Sequence, residues 1–430
     1  MAPAHWPSTL ERLDLRGARC NDGSPGAMYF TPPLGFTKGS VWHIHLEGGG
    51  YCYDEESCSS VEHGPKLRSS WRWPNTKTLG GLFARGPGAT PQLKQAAHAF
   101  VGYCSSDSWV GNTSVEWSGQ TWYFQGAQIL LQAVQHLLKL GMDRASLVFF
   151  SGCSAGGRGV LYNLDGLCHL LHSAAPNARC AGLGDAAWWL ESVHVGSNTW
   201  PSALQHVTQQ GSQLWRSSSL ALALRRCQGA APDSGFQCFF GPALGMHLEM
   251  PVLLAQQLND YFQFDHLVKS HHTLYIGGPM GGPVSRQDLE VMAGLRSGLK
   301  HSLQRWAQEA ERPVFASSCF GHCITEGASY FDIRLQEGPG QGWSLNDTTS
   351  AFLDSLGSSG FSEAFIEQCT CKTLLCSSGC PPRELWQVLL EVLAGCFLLP
   401  MLALCILRRM CCRSAPKATA PDSERLALTQ

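Results

Sequence analysis

The sequence predicts an α/β protein built on a doubly wound, mostly parallel sheet, and three observations carry that expectation. Apolar β-type runs alternate with helix-spaced segments along most of the chain. One of those runs, LVFF, enters a glycine-bracketed turn and leaves it as a helix. No internal repeat interrupts the alternation, and 430 residues suffice for such a sheet to bury a large core.

Taken in order, residues to about Leu15 read as a mobile lead-in. CNDGSPGAMYFTPP and SVWHIHLEGGGYC read as strands separated by Asn-Asp-Gly and Ser-Pro-Gly breakers. Cys52 to Ala97 is a long irregular stretch of the kind that forms functional loops, and HAFVGYC is another strand. YFQGAQILLQAVQHLLKLG sets Ile129, Leu130, Val134, Leu137 and Leu138 on one helical face and stops at Gly141. AGLGDAAWWL reads as a short strand and loop, LWRSSSLALALRRC as a helix, and MPVLLAQQLND as a strand ending in polar residues. A helix from Gln287 to Glu311 and a last strand and loop, RPVFASSCFGHC, complete the alternation.

The stretch with most chemical content is Ser146 to Tyr162, SLVFFSGCSAGGRGVLY. It sets GxSxG between a strand and a helix, where a strained turn lifts a serine hydroxyl above the sheet. Ser154 is the candidate nucleophile. A serine needs a base and the base an orienting acid, and in this sheet class they follow in the order Ser, Asp or Glu, His. Asp260, at the end of VLLAQQLN, and His322, after PVFASS, satisfy the order; Asp185, Asp265, His271 and His272 compete with them. Gly48, Gly49 and Gly50 follow a strand and offer amides to a developing oxyanion, so Gly49, Gly50 and Ala155 are the candidate donors. Trp188, Trp189, Phe239 and Phe240 are apolar groups near loop ends that would accept an acyl group if they line the site.

Composition bounds the setting. A net charge of −2 with 15% charged residues leaves no footprint for nucleic acid. Nineteen cysteines point to an oxidising compartment, and the sequons at Asn112 and Asn346 fit a glycosylated surface. His43 and His45 alternate on one strand face without a nearby third ligand. Cys369, Cys371, Cys376 and Cys380 form no CxxC pair, so disulfides are expected there and no metal or other cofactor is called for. Leu385 to Leu407 reads as a membrane helix of roughly 34 Å, ahead of Arg408, Arg409 and Arg413. The basic cluster favours a cytoplasmic tail, an outward-facing domain, and palmitoylation at Cys411 and Cys412. MAPAHWPSTLERLDLRG has no apolar signal region, and the expectation is an N-terminus that is incomplete or alternatively spliced. The expected organisation is a lead-in over 1–18, an α/β domain over 19–344, a cysteine-rich segment and stalk over 345–384, a span over 385–407 and a tail over 408–430.

LEGGGYC, YCSSD at Tyr103 to Asp107, SGCSAGGRGVLYNLD and CFFG at Cys238 to Gly241 together resemble the Notum and pectin acetylesterase family. These are serine carboxylesterases of α/β-hydrolase type, and the similarity runs from about Cys20 to Cys380. The resemblance implies Ser154 as nucleophile, Asp260 as acid, His322 as base, and Gly49, Gly50 and Ala155 as oxyanion donors. It also implies an acyl pocket at Tyr51, Trp189, Phe239 and Phe240, and a local Cys52 to Cys58 disulfide. The Notum branch, to which this chain looks closest, implies a protein-lipid deacylase acting on palmitoleoylated Wnt. Gly50 stands where that branch has a tryptophan, as in the plant enzymes, and Trp189 replaces a phenylalanine of the pocket. A short-chain or sugar O-deacetylase, and an inactive membrane-anchored binder of acylated ligands, are the alternatives.

Overall fold

The computed structural model describes residues 5–35, 39–60, 64–269, 286–336, 341–357 and 361–367. Its main sheet has ten strands: β1 Ser8–Arg19, β2 Pro25–Thr31, β3 Val41–Leu46, β4 Thr76–Leu79, β5 Ala97–Val101, β6 Leu147–Cys153, β7 Arg179–Asp185, β8 Val252–Asp260, β9 Val314–Gly321 and β10 Ala364–Ile366. They lie in the order β10-β9-β8-β7-β6-β3-β5-β2-β1-β4. From β10 to β5 every pairing is parallel, whereas β2, β1 and β4 add an antiparallel flank. All residues of β6 and β8 are buried, as central strands covered on both faces require.

The pleat of β6 divides the core. Val148 and Phe150 face one layer with Val160 and Leu161, whereas Leu147 and Phe149 face the other with Phe352 and Leu353. The first layer is built from α1 Gly126–Lys139, α2 Ala155–Ala174, α3 Leu204–Trp215, α4 Leu222–Ala230, α5 Tyr261–Lys269 and α6 Arg286–Ala310; the second includes α7 Leu345–Ser355. Two small hairpins, Thr113–Trp117 with Gln120–Phe124 and Ser192–Val195 with Asn198–Pro201, stand apart from the main sheet.

Three expectations need correction. The lead-in is a strand: β1 pairs with β2 on one side and β4 on the other, burying Ser8, Leu10 and Leu15. Its exposed positions carry Glu11, Asp14 and Arg16, and an antiparallel strand with that charge along its length reads as loop from sequence. The domain also runs past residue 344. Ser344 and Asp347 form a capping box that starts α7, and β10 extends the sheet beside β9. LWRSSSLALALRRC is the end of α3 and most of α4, separated at Arg216, which takes φ 49°. The cysteine-rich run Cys369 to Cys380, the span at Leu385 to Leu407 and the tail lie outside the described residues. Among the described residues no helix is long and apolar enough to cross a membrane.

Disulfides join Cys20 to Cys104, Cys52 to Cys58, Cys153 to Cys323, Cys168 to Cys180 and Cys227 to Cys238. The first closes 84 residues of separation between the β1–β2 turn and the loop after β5, so it restricts the unfolded chain strongly. Replacing both Cys20 and Cys104 by serine should lower stability by about 2–5 kcal/mol in urea unfolding. A loss below about 1 kcal/mol would contradict that role.

Candidate active site

Ser154 sits at the sharp end of β6, where it has φ 56° and ψ −121° before α2 begins at Ala155. A left-handed serine is strained, and the close packing around it keeps the turn in place. A Cβ at Gly156 would come within 1.9 Å of the Leu46 carbonyl, so only glycine lets α2 start this close to β3. The Ser154 amide donates to the Asp185 carbonyl at 2.8 Å and its carbonyl accepts from Arg158 N at 2.9 Å. The side chain caps nothing, and the residue is 6% exposed at the helix N-terminus.

The glycine run lies against this turn. A Cβ on Gly48 would meet the Ser154 Cβ at 3.4 Å and the Cys153 carbonyl at 2.7 Å. The loop is buttressed by the YCSSD segment and the two residues after it, where Ser106, Ser108 and Trp109 all have positive φ. Trp109 donates to the Glu47 carbonyl at 3.1 Å, and Cys52 N donates to the Ser106 carbonyl at 3.2 Å. Gly49, Gly50 and Ala155 therefore stand on two rigid elements, the loop after β3 and the first turn of α2. A cleft of about 960 Å³ reaches Gly48 and is lined by Trp71, Trp73, Trp122, Arg72 and Lys77.

Asp260 ends β8 and His322 follows β9, which are neighbours in the sheet. His322 Nδ1–H donates to Asp260 Oδ1 at 2.8 Å, leaving a buried Nε2 that has no partner among the described residues. Asp260 Oδ1 also accepts from Phe262 N at 3.0 Å, and Oδ2 from Gln256 at 2.9 Å and Gln263 at 3.1 Å. The two glutamines also accept from Trp188 N and Leu190 N, so the acid is tied to the segment carrying Trp189. Burial lowers the imidazole's affinity for a proton, but the charge and hydrogen bond of Asp260, aided by Asp185, outweigh it and raise His322 above its ordinary value.

Of the competitors, Asp185 holds the loop that carries His322. Its Oδ2 accepts from Ile324 N, Thr325 N and Thr325 Oγ1 at 2.7–2.9 Å, and burial pushes it up to about 6 against those bonds. Asp265 lies within α5, and His271 and His272 lie outside the described residues. His43 and His45 are buried in a hydrogen-bonded chain through Ser151, bounded by His98 and Glu326. The bond from His45 tethers Glu326, four residues after His322. Cys153, His322 and Cys323 lie within reach of one ion, but the two sulfurs are joined to each other, which links the flanks of serine and histidine.

Beyond His322 the rings continue: Phe262 at 4.9 Å, Trp189 at 5.0 Å from Phe262, and Tyr51 at 5.9 Å from Trp189. Phe240 packs with Trp189 and Leu204, whereas Phe239 turns into the main core beside Tyr162 and Trp215. Sequence reasoning passed over Gln256, Gln263, Phe262 and Arg158. The polar pair in an otherwise apolar β8 was a signal for Gln256; Arg158, one helical turn after Ser154, gave another. Asn112 is exposed, and Asn346 is half-buried with its amide oxygen accepting from Thr90 at 2.8 Å.

Residues 6–353 match the family model described as pectinacetylesterase. The palmitoleoyl-protein carboxylesterase notum1a of Danio rerio is 30% identical over 351 residues, 78% of this chain and 66% of that protein. The corresponding notum1' of Xenopus laevis is 32% identical over 355 residues, 78% and 68% of the two chains. The Homo sapiens NOTUM is 29% identical over 353 residues, 78% and 67%. The chain thus spans about two thirds of the length of these relatives. The solved structure of the Wnt deacylase Notum from Drosophila superposes with a TM-score of 0.70 at 27% identity, covering 84% of this chain and 97% of that one.

If His322 is a general base, activity requires its neutral form and falls as pH drops through its raised pKa. The acid limb of kcat/KM on a chromogenic ester should therefore lie above pH 6.5. Asp260→Asn leaves burial opposed only by the more distant Asp185, moving that limb to lower pH while lowering the plateau about 10⁴-fold. A limb that stays in place would contradict the coupling.

Proposed function

The chain belongs to the pectinacetylesterase family, and on that premise we propose that it is a serine carboxylesterase using Ser154, His322 and Asp260 to cleave an O-acyl ester. The observation that carries the reading is the pairing of a strained serine at a helix N-terminus with a buried histidine oriented by Asp260. His322 Nε2 takes the Ser154 proton as Oγ attacks the acyl carbonyl. The amides of Gly49, Gly50 and Ala155 receive the oxyanion, each worth about 3 kcal/mol in the transition state. The alcohol leaves with the proton from His322, and water then releases the acyl group by the same steps in reverse roles.

The acyl group has two readings. The relatives are palmitoleoyl-protein carboxylesterases and a Wnt deacylase by name, so palmitoleoylated Wnt is the substrate we carry over. A shorter acyl group, as in a short-chain or sugar O-deacetylase, is favoured by the pocket itself, where fully buried Trp189 packs against Tyr51, Phe262 and Arg158. The alcohol part of the substrate, protein or sugar, would rest in the aromatic and basic cleft that reaches Gly48. The disulfides support an extracellular or luminal domain, secreted or held by the span we propose at Leu385 to Leu407. Glycosylation at Asn112 and Asn346 belongs to the same reading.

Esters from two-carbon to sixteen-carbon acyl groups test this directly. Hydrolysis should fall at least about 10⁴-fold in Ser154→Ala. An optimum at long chains carries the palmitoleoyl reading over; one at short chains favours the deacetylase. A folded protein inert to all of them would leave a binder of acylated ligands. Expression with a supplied signal should add glycans at Asn112, and an unglycosylated domain in the cytosol would contradict the placement.

A further inference from the structure

Arg158 is buried to 1% exposure, yet among the described residues it enters no ion pair. Its Nε donates to the Tyr162 hydroxyl at 2.7 Å and its Nη2 to the Phe239 carbonyl at 3.3 Å, while among the described residues Nη1 has no partner within hydrogen-bond distance. The guanidinium lies 4.0 Å over the Trp189 ring and 5.7 Å from that of Tyr51, and it interacts with the buried Tyr51 hydroxyl. Arg85 shows how this fold treats a buried arginine of purely structural kind. Its three nitrogens donate to the Ser8 hydroxyl and to the carbonyls of Lys94, Pro32 and Ala96. Both arginines meet only neutral acceptors, but Arg158 leaves one nitrogen without such an acceptor, among the rings that extend from His322.

An unpaired buried cation is costly, and an arriving anion relieves that cost with charge-assisted hydrogen bonds. Arg158 is four residues after Ser154, about one turn or ~5.4 Å along α2, and its backbone amide is bonded to the Ser154 carbonyl. We propose that Arg158 makes the acyl pocket selective for an acyl group that ends in an anion, a short dicarboxylic half ester. Trp189 and Tyr51 flank its methylenes, and Arg158 Nη1 and the Tyr51 hydroxyl donate to its terminal carboxylate. The inference rests on the carboxylesterase reading and takes the smaller of its two acyl classes.

The test compares 4-nitrophenyl hydrogen glutarate with 4-nitrophenyl hexanoate, using the full chain, Ser154→Ala, Arg158→Met and Arg158→Lys. Free glutarate is titrated into Ser154→Ala, with and without Arg158→Met. We expect kcat/KM to favour the half ester by about tenfold or more. Arg158→Met should reverse the preference, Arg158→Lys should keep part of it, and glutarate binding should depend on Arg158. A wild-type preference for hexanoate overturns the inference without needing any variant to fold, and so does a preference unchanged in folded Arg158→Met. Either of those results leaves the esterase reading intact if Ser154→Ala abolishes turnover. If no ester is cleaved, Arg158-dependent glutarate binding upholds the anion pocket and removes the esterase reading; absence of binding removes both.

Discussion

The arrangement depends on one backbone constraint, the left-handed Ser154 between β6 and α2. A non-glycine residue with positive φ is disfavoured, and the turn persists because its surroundings determine it from several sides. The Asp185 carbonyl holds its amide, Leu46 backs against Gly156, and Gly48 sits over the serine. From that turn follow the position of the hydroxyl, the first amide of α2 and the direction in which Arg158 leaves the helix.

The acid and base come from different strands and are joined by a layer of polar contacts inside an apolar core. Gln256 and Gln263 satisfy Asp260 and at the same time anchor the Trp188 to Leu190 segment, so acid orientation and pocket wall are one network. The His322 loop is fixed three ways, through Asp185, through Glu326 on His45, and through Cys323 on Cys153. Buried polar groups of this kind stabilise only when they are paired, and Asp260 is. Among the described residues, His322 Nε2 and Arg158 Nη1 are two of the buried polar atoms without a partner within hydrogen-bond distance.

Much of this was legible in the residues. The parallel core strands announce themselves as short, mostly apolar runs, and GxSxG between a strand and a helix marks the turn. The antiparallel flank was not legible, because β1 carries exposed charges among its buried residues and its pairing with β4 spans a long loop. The end of the domain was missed for a related reason: β10 is only three residues long and depends on β9 for its place. Asp260 and His322 could be placed by chain order, but choosing them over Asp185 needed the three-dimensional fact that Asp185 is already engaged by the 324–325 backbone. Arg158 stood in plain view, yet a charge on a helix reads as solvated until the helix is seen buried on every side.

The central claim is that Ser154 is a nucleophile activated by His322. Its most direct measurement is covalent capture: treat the full chain with a fluorophosphonate and locate the adduct by peptide mass spectrometry. A single adduct on Ser154, lost when His322→Ala is treated in the folded state, is the predicted result. No adduct, or one that persists on Ser154 at an unchanged rate without His322, would contradict it.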